Sequence, residues 1–206
     1  MKIIRLALIG LVGLPFASGA QQSINIRRAS SPTVSVRLNG FLSNVHVIGW
    51  DRDSVMLTGG VAAGSRLEGG PQGSGPAVTG MKFYVDATDE SAARANKLEL
   101  RVPRGARVWV KAGSADIDVT GVTGSLDLNI VGGSVHVNGK VRELVVESMD
   151  GTVSFEGSAT YARLKTATGD ITLATQGEDF GATSISGNLT IGDGTYERAR
   201  FESVTG

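Results

Sequence analysis

The sequence predicts an all-β fold, a single-domain parallel β-solenoid (β-helix-like) with about 18 residues per coil. Three observations support this fold class: a short motif at a fixed interval, apolar columns in phase with it, and glycines at the strand ends. The motif is a small residue followed by alternating polar and apolar residues. Its copies lie 18 positions apart, at residues 115–119, 133–137, 151–155, 169–173 and 187–191.

Apolar residues also recur at matching positions in the second half of each coil, so that five positions per coil are apolar. This pattern predicts two short strands per coil, in which Ile117 and Val119 point inward while Asp116 and Asp118 point outward. The columns of the second half are Leu126, Leu144, Ala162 and Phe180; Leu128, Val146, Leu164 and Ala182; and Val131, Met149, Ala167 and Ile185.

Stacked coils would place equivalent residues about 4.8 Å apart, the spacing of hydrogen-bonded strands. We therefore expect one internal column made of Ile117, Val135, Val153, Ile171 and Leu189. A single coil cannot bury these side chains, whereas each coil of an array covers its neighbour.

Glycines mark the corners of the predicted coils, where turns favour them. They lie before the strands at Gly133, Gly151, Gly169 and Gly187, and after them at Gly121, Gly139 and Gly157. The 29 glycines of the chain are also typical of flexible low-complexity sequences. Their regular phase against the apolar columns argues against that alternative.

Residues 21–114 are predicted to form an N-terminal cap and irregular coils. Residues 44–49 resemble the later strand starts, and residues 88–96 predict one or two helical turns. Between these segments, eight glycines and two prolines predict a Gly-rich loop at 59–80. A long insertion of this kind costs little stability and can carry function.

Residues 115–206 are predicted to form the regular β-solenoid repeats. The last six residues repeat the approach to a new coil and stop at its glycine, Gly206. Terminal repeats normally shield the last rung, so two interpretations stay open. Either the array is truncated at the C-terminus, which we favour, or the open end serves end-to-end self-association.

The first twenty residues, 1–20, are predicted to be a signal peptide. Lys2 and Arg5 supply its basic start, residues 3–16 its apolar run, and residues 17–20 a small-residue cleavage site. The alternative, a membrane anchor, is disfavoured because a spanning helix needs about 20 apolar residues. We expect an exported protein in the periplasm, at the cell surface or outside the cell, with no membrane span after leader removal.

Composition narrows the classes of partner and site. Without the leader, 18 basic residues face 20 acidic ones, a net charge near −2 that predicts no nucleic-acid partner. The chain has no cysteine, which excludes disulfides and thiolate metal sites. About 186 mature residues suit one domain.

Three features together resemble a known family: a strand followed by Gly49-Trp50-Asp51, a turn at residues 100–105, and serial units of Ser, Thr or Asp followed by Gly-x-apolar-x-apolar. The chain resembles the bacterial "putative adhesin" family of β-strand repeats, whose function is undefined. The resemblance covers residues 45–206 and implies a parallel β-solenoid in a surface or periplasmic setting. It implies no catalytic residue, because the family has no agreed one.

The candidate site residues do not form a recognisable motif. Asp116, Asp118 and Asp170 are the best carboxylates for metal or acid–base chemistry, but the calcium-binding nonapeptide is missing and a solvated face is expected. His46 and His136 are the only histidines and occupy polar strand positions, with Asp118 one rung from His136. We expect no catalytic residue, no metal site and no cofactor.

Tryptophans and basic residues suggest two further surfaces. Trp50 and Trp109 fit either a sugar-stacking surface or, as we favour, caps of the solenoid end. The basic clusters Arg27-Arg28 and Arg198-Ala199-Arg200 are too sparse for a polyanion groove and are expected to be solvated strand edges.

The sequence therefore predicts an exported, non-enzymatic β-solenoid module, adhesin-like or an interaction protein at the bacterial cell envelope. Its envelope or extracellular partner is unknown, and polysaccharide and protein both stay open. A polysaccharide-active enzyme on a β-helix scaffold is one alternative, although no carboxylate pair or basic cluster marks it. A self-assembling structural element is the other alternative.

Overall fold

A computed structural model describes residues 21–206, and the predicted signal peptide lies outside them. The all-β prediction is confirmed: the described chain forms twelve strands in one sheet and one helix of five residues. No helix in this part is long and apolar enough to cross a membrane. In chain order, the elements are β1 (Gln22–Gly40), β2 (Asn44–Trp50), β3 (Ser54–Val61), β4 (Ser65–Gln72), β5 (Val78–Ala87), α1 (Glu90–Arg94), β6 (Lys97–Pro103), β7 (Arg107–Thr120), β8 (Ser125–Ser148), β9 (Thr152–Thr166), β10 (Ile171–Ser184), β11 (Leu189–Ile191) and β12 (Tyr196–Ser203).

The strands from β7 onward stack in parallel, as the repeat predicts. Ile117 of β7 lies opposite Val135 of β8, which lies opposite Val153 of β9. Ile171 of β10 and Leu189 of β11 continue the series. The first four side chains of this column are buried and Leu189 packs partly buried against the core, so the predicted internal column is confirmed.

The long strands pass through two walls that face each other across the core. We call the wall with residues 107–112 of β7 the front wall, and the wall with residues 116–120 of β7 the back wall. Phe155 in the back wall and Phe180 in the front wall stack with ring centroids 6.2 Å apart. The two walls therefore enclose a single hydrophobic core.

Before β7, the order of strands in the sheet departs from their order in the chain. The second half of β1 and residues 44–48 of β2 lie directly beside β7, with Leu38 opposite Val110 and Val45 opposite Ile117. Strands β5 and β6 come later in the chain but pair with the other edges of β1 and β2. Residues 44–48 thus pair in parallel with the first regular strand start, which they resemble in sequence.

The prediction of a purely parallel solenoid is wrong for the N-terminal part. Strand β3 runs antiparallel to β1 and β6, and β4 runs antiparallel to β5, so the sheet is mixed. The short connection between β4 and β5 explains their antiparallel pairing, because a parallel pair needs a long crossover. The three residues between β2 and β3 likewise reverse the direction of the chain, so β3 runs against β6, which is parallel to β2. These strands close the N-terminal end of the stack.

The predicted Gly-rich loop at 59–80 is also wrong, because this segment contains the end of β3 and all of β4. Gly69 shows why glycine occurs within a strand here. Its φ is +102°, and a Cβ atom would lie 2.1 Å from the carbonyl oxygen of Lys82 in the paired strand. Glycine therefore permits a close backbone approach at this edge.

The predicted helical turns form α1. Asp89 caps its N-terminus, where Oδ1 accepts a hydrogen bond of 2.8 Å from the backbone N–H of Ala92.

One apolar column of the sequence lies outside the core. Val131, Met149 and Ile185 are exposed at the corner where the chain leaves the front wall. Each directly follows an inward position such as Ile130, and strand alternation turns the next side chain outward.

Candidate binding surface

The predicted histidine and carboxylate residues form a row on the outer surface of the back wall. His46 lies opposite Asp118, and Asp118 lies opposite His136 on the next strand. The His46 Nδ1 and Asp118 Oδ2 atoms are 3.8 Å apart. No three histidine, aspartate or glutamate side chains within residues 21–206 are grouped so as to hold a metal ion.

The other two candidate carboxylates connect adjacent coils. Asp116 accepts a hydrogen bond of 2.7 Å from the Ser134 hydroxyl. Asp170 accepts one of 2.7 Å from the backbone N–H of Asn188 and one of 3.2 Å from its side-chain amide. These side chains support the stacking of coils on an exposed face.

The prediction that the tryptophans cap the end of the solenoid is wrong. Trp50 lies where β2 ends, and its Nε1 donates a hydrogen bond of 2.8 Å to the carbonyl oxygen of Ser54. Trp109 lies on the outside of the front wall in β7, half-buried between the inward-facing Val108 and Val110. Both rings lie along the length of the stack because strand alternation turns them outward.

Trp109 belongs to a surface that the folded chain assembles from three separate segments. Lys82 of β5, Arg37 of β1 and Trp109 of β7 lie opposite one another on adjacent strands. Two residues further along the same strands lie Tyr84, Asn39 and Lys111. We call the whole set the basic–aromatic patch: Arg37, Lys82, Arg107, Lys111, Tyr84 and Trp109.

Alternation along each strand explains why these side chains share one face. Arg37 lies between the buried Val36 and Leu38, and Lys82 lies between the buried Met81 and Phe83. The same alternation in β7 turns Arg107, Trp109 and Lys111 outward. The apolar core therefore fixes the direction in which the patch faces.

The four cations of the patch have no acidic partner. None forms a salt bridge to a carboxylate in the described part of the chain. The guanidinium carbon of Arg37 instead lies 5.1 Å from the centroid of the Trp109 ring, a cation–π contact.

The acidic residues at the border of the patch have other partners. Asp127 lies beside Trp109 and accepts a hydrogen bond of 2.6 Å from the Asn129 amide. Glu68 lies beside Tyr84 and pairs with Arg66. Glu68 is paired with a cation, whereas the neutral Asn129 amide leaves the charge of Asp127 in place at one edge of the patch. The patch therefore brings four cations together beside one carboxylate.

Several other arginines of the chain do have acidic partners. The Arg163 guanidinium lies 2.6 Å from Asp179. Arg104 donates a hydrogen bond of 2.6 Å to Asp51, and this bond together with the charge of Arg104 lowers the pKa of the Asp51 carboxyl. The patch differs from these pairs because it brings four cations without a salt bridge together on three adjacent strands.

Sequence reasoning considered Trp109 but missed the cations around it. The basic clusters it weighed lie at the ends of the stack, where Arg198 is 3.8 Å from Asp179 and Arg200 pairs with Glu202 at 2.5 Å. The only signal for the patch is that Arg37, Lys82 and Lys111 occupy polar positions in alternating strands. That signal predicts that these side chains point outward, but it does not predict that they lie next to one another.

A family model described as Toastrack DUF4097 matches residues 20–205. A search of the curated proteins gives no match.

Three solved structures are similar to this chain over most of its length. A "putative adhesin" from Bacteroides fragilis has 13% sequence identity and a TM-score of 0.46, covering 89% of this chain and 98% of that one. A "putative adhesin" from Parabacteroides distasonis has 17% identity and a TM-score of 0.37, covering 91% and 98%. A "putative cell adhesion protein" from Clostridium sporogenes has 8% identity and a TM-score of 0.36, covering 88% and 100%.

Proposed function

The chain belongs to the Toastrack DUF4097 family, and from this premise we propose that it is an exported, non-enzymatic interaction module of the bacterial cell envelope. In this proposal the chain is a β-solenoid whose coil length is the interval of the sequence repeat, and its role is adhesin-like. It binds an envelope or extracellular partner through the basic–aromatic patch.

The single observation that carries this proposal is the group of four unpaired cations around Trp109. Like charges on adjacent strands repel one another, which disfavours such a group unless an anionic partner neutralises it. The patch also lies on a wall whose side-chain directions are fixed by the core. Binding to a preformed surface loses little conformational entropy.

The non-enzymatic role is supported by the structural roles of the candidate catalytic carboxylates. Asp116 and Asp170 accept hydrogen bonds from the neighbouring coil, and both lie on the back wall, away from the patch. A polysaccharide hydrolase needs two carboxylates facing each other across the bound sugar. A reducing-sugar assay on polysaccharides should therefore show no release above a protein-free blank.

Export is supported by the leader pattern at residues 1–20. Expression of the complete chain should give an envelope or extracellular product whose mass corresponds to a start at Gln21. A chain lacking residues 2–20 should stay in the cytoplasm. An intact mass that retains the leader would contradict the proposal.

Binding is tested with isolated cell envelopes and fluorescently labelled protein. The patch variant carries Arg37→Gln, Lys82→Gln, Arg107→Gln and Lys111→Gln. The matched control carries Arg27→Gln, Arg28→Gln, Lys97→Gln and Lys140→Gln, four exposed cations elsewhere that remove the same charge. We expect the patch variant to bind at least about tenfold more weakly, which corresponds to about 1.4 kcal/mol. Equal binding by both variants would reject the patch as the binding surface.

A further inference from the structure

We infer that the basic–aromatic patch recognises an acidic polysaccharide, with its cations on the carboxylate groups and its aromatic rings against the sugars. This inference rests on the proposed function, because it names the ligand class of the surface proposed there. The charge of the patch, its dimensions, its aromatic side chains and its polar border support this ligand class.

The charges select an anionic ligand with several charged groups. Lys82 and Arg37 lie directly opposite each other, and Arg107 and Lys111 lie four residues apart on the next strand. Strand spacings of about 4.8 Å and a rise of about 3.3 Å per residue give the patch dimensions of roughly 10 by 13 Å. An extended polyanion reaches all four cations, whereas a single small carboxylate does not.

The aromatic side chains supply the apolar contact that sugar rings require. Tyr84 is 41% exposed, so its ring is available to the C–H face of a sugar. The half-buried Trp109 ring holds the Arg37 guanidinium at 5.1 Å. A guanidinium positioned in this way is ready for a bidentate contact to a carboxylate with little loss of entropy.

The border of the patch favours a polysaccharide over other polyanions. Ser35 and Ser125 flank Arg107 on the neighbouring strands, and Asn39 and Asn129 flank Lys111 in the same way. The Ser125 hydroxyl accepts a hydrogen bond from Arg142 and the Asn129 amide donates one to Asp127. Ser35 and Asn39 therefore supply the hydrogen-bonding groups that suit a ligand rich in hydroxyl groups. An anionic membrane would instead favour projecting apolar side chains, and a nucleic acid would favour a longer basic stripe.

The test uses isothermal titration calorimetry of the purified protein with polygalacturonate. The matched control ligand is fully methyl-esterified polygalacturonate, which keeps the sugar chain but removes its charge. We expect the charged polymer to bind at least about tenfold more tightly. Its affinity should fall strongly between about 50 and about 500 mM salt, because salt screens exposed charges.

Substitutions in the patch separate the contributions of the cations and of the aromatic ring to the binding of polygalacturonate. Arg37→Gln combined with Arg107→Gln should weaken binding of polygalacturonate at least about tenfold. Tyr84→Ala should weaken it roughly threefold to tenfold. Tyr161→Ala, which removes an exposed front-wall ring beside Arg163 and outside the patch, should leave the affinity unchanged. Circular dichroism spectra check that each variant is folded.

Three results would overturn the inference. The first is equal affinity for the charged and esterified polymers, or no binding to polygalacturonate. The second is equally tight binding of duplex DNA or phosphatidylglycerol vesicles, which would show that charge alone is recognised. The third is binding that is insensitive to the patch substitutions. If the patch variant still lost binding to cell envelopes in any of these cases, the proposed function would stand without this ligand class.

Discussion

At the scale of single residues, Asn96 connects three segments of the N-terminal half. Its side chain is buried, and its Oδ1 accepts a hydrogen bond of 2.9 Å from the backbone N–H of Ala62. Its Nδ2 donates bonds of 2.9 Å to the carbonyl oxygen of Phe41 and to the Ser65 hydroxyl. Both ends of the amide are thus used where β1, β3 and β4 meet.

Replacing Asn96 with alanine should destabilise the protein. The backbone N–H of Ala62 and the carbonyl of Phe41 would lose their partners, but Ala62 is only partly buried and Phe41 is exposed, so water can replace part of these bonds. We therefore expect the free energy of unfolding to fall by roughly 1–3 kcal/mol in urea titrations followed by circular dichroism. Asn25→Ala is the control: Asn25 is exposed, so a change within about 0.5 kcal/mol is expected. Similar losses in both variants would contradict this role of Asn96.

The direction of side chains could be predicted from the sequence, whereas their neighbours across strands could be predicted only within the repeat. The position of Asp118 opposite His136 on the next strand follows from the repeat interval and is confirmed. The contact of Asp118 with His46 was missed because no repeat connects β2 to β7. For the same reason, the sequence did not predict that the cations of the patch lie around Trp109.

At the scale of secondary-structure elements, edge strands were the hardest to predict. Strand β4 carries Gly69, Gly70 and Pro71 in sequence, a composition that ordinarily predicts a loop. As an edge strand it pairs on one side only, so it needs neither inward apolar residues nor a complete set of backbone donors. The pattern that identifies buried strands is therefore absent from it.

The corners of the coils depend on glycine where adjacent backbones come close. At Gly157 the φ is +128°, and a Cβ atom would lie 2.0 Å from the carbonyl oxygen of Gly139 in the preceding coil. We expect Gly157→Ala to lower the free energy of unfolding by more than about 1 kcal/mol.

Gly113 is the control for this substitution. It lacks a positive φ, and a Cβ atom placed there would meet nothing within 4 Å. Gly113→Ala should change the free energy of unfolding by no more than about 1 kcal/mol, in the stabilising direction. Thermal unfolding of both variants provides the measurement, and equal midpoints would refute the steric explanation.

At the scale of the whole molecule, the C-terminal half is an array in chain order and the N-terminal half is not. From β7 to β11 each strand follows the last in both sequence and space. Aromatic rings fill the core near the end of this array, where Tyr196 lies 4.8 Å from Phe180 and 5.5 Å from Phe201 between ring centroids. The antiparallel strands β3 and β4 close the other end.

Deletion of one complete coil tests the proposed period. Val135 lies opposite Val153, so removing segment 135–152, one full repeat interval, joins Ser134 to Val153 and keeps every later side chain facing its present direction. We expect this shortened chain to give a β-type circular dichroism spectrum and to unfold cooperatively.

The matched control removes only segment 135–151 and so retains Thr152. This deletion places Thr152 in the inward position of Val135 and turns Val153 outward, because a slip by a single position reverses the faces of a strand. We expect the control chain not to fold. A cooperative transition in the control, or none in the chain that lacks the full interval, would contradict the proposed coil length.

The sequence by itself determined the all-β class, the internal columns from Ile117 onward and the family, which the Toastrack DUF4097 match confirms. These properties are local and periodic, so alternation and spacing are sufficient to reveal them. Only the tertiary structure decided the position of β1 and β2 between β7 and the strands β5 and β6. The same holds for the antiparallel strands at the N-terminal end of the stack and for the basic–aromatic patch. The physical reason is that any two strand edges offer the same backbone hydrogen bonds, so the choice between distant partners depends on how the whole core packs.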